Sequence, residues 1–220
     1  MTLGAVIGEI LPLAIGVAVS PIPIIAAILM LFSKRAGSTS AGFLIGWVVG
    51  IVVATTIFTA LAGTLQMGGE PSAAASWIKI GLGVLLLLVG MRQWRGRGGQ
   101  HDNPKWMAAI DDFTFVKALG LGFLLSAVNP KNLIMAAGAG VTIGSAAVGL
   151  GGDAVAVAVF TVIAASTVAV PVLGHLVAAE RMRGPLDSLK GWLQNNNATV
   201  MATLILVIGA VLVGKGVSGL

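Results

Sequence analysis

Lys131 lies inside the long apolar run Phe113–Ala147, flanked by Asn129-Pro130 and Asn132. At bilayer depth a charged side chain costs at least about 2.5 kcal/mol, so it must face a cavity or a partner. No acid falls at comparable depth, because Glu9, Glu70 and Asp153 all map near span ends. A lysine without a counter-ion there can hold an anionic group of a substrate or take part in proton coupling. The alternative is structural: an unwound turn brings Lys131 near water, where its head snorkels. Asn129 and Asn132 carry amides that either cap broken helix ends or bond a ligand.

A second constellation matches the first. Ser20-Pro21-Ile22-Pro23-Ile24-Ile25 aligns with Asn129-Pro130-Lys131-Asn132-Leu133-Ile134 by its polar-Pro dipeptide and apolar tail. Proline removes a backbone donor and clashes with the carbonyl four residues earlier, so helices break there. Freed backbone groups at membrane depth are tolerated only when buried in protein or lining a wet cavity. Two facing breaks would define a central site formed by Ser20, Pro21, Pro23, Asn129, Pro130, Lys131 and Asn132.

The elements that carry these motifs follow from composition. Of 220 residues, 57% are hydrophobic and 10% charged, with a mean hydropathy of +1.00. A soluble chain of this size has too little polar surface here to cover such a core. The apolar runs lack the period-two alternation of a barrel, so they read as helices. Six spans are expected, near Thr2–Phe32, Ala41–Gln66, Ala74–Trp94, Phe113–Ala147, Ala154–Ala179 and Ala198–Val217. The first and fourth are over-long and contain the proline breaks. Each break sits in the first span of a three-span half, and because three is odd the second half enters from the opposite face. The expected fold is an all-α integral membrane protein of two inverted three-helix repeats. Residues 1–95 form the first, 96–112 a basic cytoplasmic loop and 113–220 the second.

Charge orients the spans. Lys34 and Arg35, then Arg92, Arg95, Arg97, Lys105 and Lys117, then Arg181, Arg183 and Lys190 fall in loops that share one side. The opposite loops, Gln66–Ala73 and Val148–Asp153, hold no Lys or Arg. The positive-inside rule makes the basic side cytoplasmic and places both termini outside. The net charge of +5 therefore marks orientation, and no nucleic-acid partner is expected. No secretory signal peptide is expected, since no basic residue precedes Lys34 and no cleavage site follows a short apolar core. Zero cysteines exclude thiol electron carriers and cysteine-ligated metal pumps.

Smaller features complete the reading. Trp77 and Trp94 fall at opposite ends of the third span, as interfacial rings do. Leu186, Leu189, Trp192 and Leu193 share one face of a short helix expected to lie on the cytoplasmic surface. Gly42, Gly46 and Gly50 form a small-residue ridge for close helix packing, and leave a homodimer open. Thr55, Thr56, Thr161, Ser166 and Thr167 are expected to bond carbonyls of their own helices. Pro171 is expected to kink the fifth span, and His175 to be solvated near its cytoplasmic end.

The motifs Ser20-Pro21-Ile22-Pro23-Ile24-Ile25-Ala26, Phe32-Ser33-Lys34-Arg35-Ala36, Gly42-Phe43-Leu44-Ile45-Gly46-Trp47 and Asn129-Pro130-Lys131-Asn132-Leu133 resemble the GAP family. These are the glycopeptidolipid- or sulfolipid-addressing proteins of the lysine exporter (LysE) superfamily. The resemblance spans nearly the whole chain and implies a six-span exporter of the bacterial inner membrane. Family members are linked to moving polar envelope lipids outward. Amino-acid exporters of the superfamily carry Asn-Pro-Lys on the fourth span, matched by Asn129, Pro130 and Lys131, but usually Gly-Pro at the first break. The Ser20–Pro23 sequence departs from that pattern, and a central lysine would repel a cationic amino acid.

The expected function is a secondary transporter that exports an anionic or amphiphilic substrate, a small molecule or polar lipid, by alternating access. No nucleotide-binding loop or cofactor motif appears. The other readings are an amino-acid or other small-solute exporter, an accessory subunit of a lipid-export complex, and an intramembrane enzyme. The last finds no acid/base or metal-binding constellation, so the chain is read as not an enzyme.

Overall fold

The computed structural model describes residues 1–65, 73–96, 107 and 109–220. The calls on Gln66, Glu70, Arg97 and Lys105 lie outside them, as does most of the 96–112 loop. The described chain is helical throughout, with α1 at Leu3–Ala18, α2 at Pro21–Leu31, α3 at Ala36–Leu65 and α4 at Ala73–Gly96. A 3-10 turn at Ile110–Asp112 leads into α5 at Phe115–Phe123, a π-turn at Leu124–Val128 and α6 at Pro130–Gly144. The last helix, α7, runs Gly149–Val217 and is kinked at Ala178.

Among the described residues, four stretches are long and apolar enough to cross a membrane: Ala36–Thr64, Ser76–Gly96, Gly149–His175 and Val177–Val217. The count reaches six when α1–α2, bent by 53°, and α5–α6, bent by 60°, each make one span. Large apolar side chains face outward from the bundle, while several polar ones are held inside it. Val162, Val170 and Leu61 are 70%, 63% and 54% exposed, whereas Ser20, Lys131 and Asn132 are buried. Apolar faces this extensive are covered by lipid in a membrane protein and would aggregate in water. Trp77 and Trp94 are both exposed, at opposite ends of α4.

The glycine ridge is consumed within the chain. A Cβ on Gly42 or Gly46 would strike the backbone of Phe115 or Leu119, and one on Gly50 the Ser126 side chain. Gly140 and Gly144 meet Phe58 and Thr59 further along, so α3 runs parallel to both halves of the α5–α6 bend. The ridge therefore offers no surface to a second copy. The second arm of α7 runs antiparallel to α1, with Lys215 on Glu9 and Ile208 against Gly16. Gly83 and Gly90 of α4 meet Val213 and Leu206 on another face of that arm.

One expectation is corrected here. Pro185–Leu193 is no separate surface helix but the start of the arm Val177–Val217. At about 1.5 Å per residue this arm is about twice the 30 Å hydrocarbon thickness. Leu186 and Leu193 are buried with Ile24, Ile25, Ile28 and Leu31 of α2, and only Leu189 and Trp192 face outward. Packing of α2 against the apolar stripe extends the helix beyond the membrane-length segment Ala198–Val217. The backbone of α7 leaves helical geometry at Ala178 (φ −145°, ψ 51°), where the fifth span ends, and Pro171 lies within helical backbone. Where the second arm folds back, with Met182 beside Gly174, His175 is half-buried, and its Nδ1 is buried without a partner among the described residues.

Candidate functional site

The junction begins with the end of α1. A helix that stops leaves its last four carbonyls without intrahelical donors. Here each finds a partner. The Ile15 carbonyl accepts from the Val19 amide at 2.9 Å, and that of Val17 from the Ser20 hydroxyl at 2.7 Å. The Lys131 ammonium donates to the Gly16 carbonyl at 2.7 Å. Thr167, from the first arm of α7, donates to the Ala18 carbonyl at 2.5 Å. The break is thus closed by side chains from three different elements.

Across the junction, Asn129 caps α6, its Oδ1 accepting from the Lys131 amide at 3.1 Å. Pro130 occupies the first helical turn, where a missing N–H costs nothing. The π-turn before it hydrogen-bonds the Asn129 amide to the Leu124 carbonyl at 3.1 Å. It also leaves the Leu125 carbonyl to accept from Asn132 Nδ2 at 2.9 Å. Asn132 Oδ1 lies 3.2 Å from the Ser20 hydroxyl, and the Lys131 ammonium donates to Ser20 Oγ at 2.6 Å. The two breaks are therefore in direct contact.

Sequence-predicted residues take different places in this arrangement. Ser20, Lys131 and Asn132 converge and are buried; Pro21 and Pro23 are buried beside them at the start of α2. Asn129 is half-buried, and Pro130 faces outward. Since Pro21 and Pro23 have no N–H, the α2 N-terminus is stripped of two of the donors that make helix starts anion-binding. Only Ile24, one turn on, closes back on the Ser20 carbonyl at 3.3 Å.

The electrostatics favour Lys131 where it points, not where it is rooted. It sits in the first turn of its own helix, the positive end, but its head lies on the negative C-terminal end of α1. No carboxylate pairs with it among the described residues. Of its three donors, two reach oxygen and the third faces the Met201 sulfur at 4.0 Å, a weak acceptor. Lys131 itself fills the junction. A cavity of about 600 Å³ lies elsewhere, between α3 and the first arm of α7.

Gly16, Thr167 and Met201 escaped the sequence reading. Thr167 was assigned to its own helix, yet bonds across to α1, whereas Thr161 and Ser166 do bond their own carbonyls, of Val157 and Ile163. Thr55 Oγ1 is buried without a partner. The sequence signal for Thr167 was available only in combination: a broken α1 needs external donors, and few polar residues lie at that depth.

No curated protein and no solved structure matches the chain. The profile of one family, described as Sap, sulfolipid-1-addressing protein, matches residues 10–218 and so includes both breaks. On that match over nearly its full length, the chain belongs to the sulfolipid-1-addressing protein (SfLAP) family.

Proposed function

We propose that this protein carries an anionic or amphiphilic substrate, of the polar-lipid class that its family's name designates, outward across the bacterial inner membrane. The observation that carries this reading is the buried Lys131 ammonium, which joins the two helix breaks without a carboxylate partner among the described residues. Its contacts are with a carbonyl and a hydroxyl, which an incoming sulfate or phosphate oxygen can replace with a stronger charge-assisted bond. Breaking them would uncap α1 and free the two bent spans to move relative to each other. The Lys131–Gly16–Ser20 cluster is then the latch of a closed state, and alternating access is its opening.

Bends of 53° and 60° in the two motif-bearing spans support a plan of two matching halves; their inversion, with both termini outside, belongs to the same proposal. Membership of the lysine exporter superfamily belongs to the same proposal. The test is reconstitution of the pure protein in vesicles containing a fluorescent anionic glycolipid, with movement between leaflets read by an impermeant quencher. Accelerated movement is expected. A rate equal to that of protein-free vesicles would overturn transport and favour an accessory subunit.

A further inference from the structure

The cavity between α3 and the first arm of α7 lies toward the end of α3 away from Lys34 and Arg35, starting at Val52 just beyond the glycine ridge. It exists because its walls are small: Ala60 and Gly63 on one side face Ala154 and Ala158 on the other. Its volume of about 600 Å³ falls within the range of ligand pockets, which are mostly apolar with few polar groups. Ala60, Ala154 and Ala158 are exposed on the face that lipid would cover, so the furrow is entered from the bilayer.

Of its polar side chains, Thr56 keeps a hydroxyl proton to offer, and the others ask for donors. Thr59 and Thr64 spend their hydroxyl protons on the Thr55 and Leu61 carbonyls, at 2.9 and 2.8 Å, leaving only oxygen lone pairs. Asp153 lines the same furrow, and its Oδ1 is buried with no hydrogen-bond partner among the described residues. It makes no ion pair among the described residues. The nearby start of α7 favours negative charge there, but it supplies no hydrogen bond to that oxygen. A buried acceptor without a donor is unfavourable, and an occupant bearing hydroxyls would satisfy it.

We propose that this furrow binds one alkyl chain of an amphiphile whose hydroxyl-bearing head group donates to Asp153. A packed apolar helix would fill the space but bring no donor, which is why a lipid is the occupant. The site does not depend on transport, since a lipid can be held there whether or not the protein moves it.

The test is photolabelling of the full-length protein in nanodiscs with two probes that share a dodecyl chain bearing a mid-chain diazirine. One probe has a glucoside head and the other a methyl ether without donors. The glucoside is expected to label peptides covering 52–64 and 150–158. Ala158→Trp and Ala60→Trp, filling the furrow from opposite walls, are each expected to abolish that label. Asp153→Leu should lower it about tenfold, to the level of the ether probe, as one lost charge-assisted bond does, while Asp153→Asn keeps most of it. Label spread over all lipid-facing helices, or equal for both probes, would overturn the proposal. So would exclusive cross-linking of a second protein chain in the furrow. Localised labelling in a protein that moves no lipid would leave the furrow standing and sink only the transport reading.

Discussion

The ammonium of Lys131 lies 2.7 Å from the carbonyl oxygen of Gly16, a residue 115 positions earlier in the chain. One half of the protein thereby supplies the C-terminal cap of a helix in the other. A lysine that looks like an uncompensated charge in the sequence is compensated by backbone, and by the Ser20 hydroxyl that this same break exposes.

Lys131 and Ser20 should therefore behave as one unit. Lys131→Met and Ser20→Ala are each expected to lower stability by about 1–3 kcal/mol, with a coupling energy of about 1–2 kcal/mol in a double-mutant cycle. Thermal unfolding in nanodiscs reads this. Thr167→Val, which removes one neutral interhelical bond, should cost less, about 0.6 kcal/mol. Strictly additive effects of Lys131→Met and Ser20→Ala would show that the junction is not a network.

Substitutions at glycines should divide sharply. Gly46→Val drives a side chain into the Leu119 backbone, where no rotamer change can make room, and should cost at least about 1–3 kcal/mol. Gly8→Ala and Gly120→Ala meet nothing within 4 Å and should be neutral or stabilise by up to about 1 kcal/mol. Comparable losses at all three positions would contradict the parallel packing of α3 on α5.

The stripe at the start of the last arm gives another contrast. Leu186→Ala and Leu193→Ala remove buried side chains packed on α2 and should each cost about 2–5 kcal/mol. Leu189→Ala, at a position 39% exposed, should stay within about 0.5 kcal/mol of wild type. Equal small effects at all three would restore a helix that merely lies on the surface.

Orientation is testable cleanly because the chain has no cysteine. Single cysteines at Thr2 and Ser218 are expected to react with an impermeant maleimide added to intact cells, and one at Arg35 only after lysis. Labelling of Arg35→Cys in intact cells would invert the topology.

What the sequence disclosed follows from which interactions are local. Proline chemistry is local, so both breaks were found at Ser20 and Asn129, and the glycine ridge was recognised as packing. Apolar length is local too, and it gave the spans. Partner choice is not. That Gly16 and Met201 meet Lys131, and that Thr167 reaches the Ala18 carbonyl, depends on how α1, α6 and α7 assemble, which no spacing records. Likewise Leu186 and Leu193 make a stripe that suits an interface or a core equally well; only the position of α2 decides.

The central claim is that opening of the Lys131 latch moves lipid, and it is tested most directly by leaflet exchange in proteoliposomes carrying Lys131→Met. Folded protein is selected by size exclusion before reconstitution. The expected result is exchange of the anionic glycolipid by wild type and none above the protein-free rate by Lys131→Met. Exchange at the wild-type rate in that variant would contradict the account.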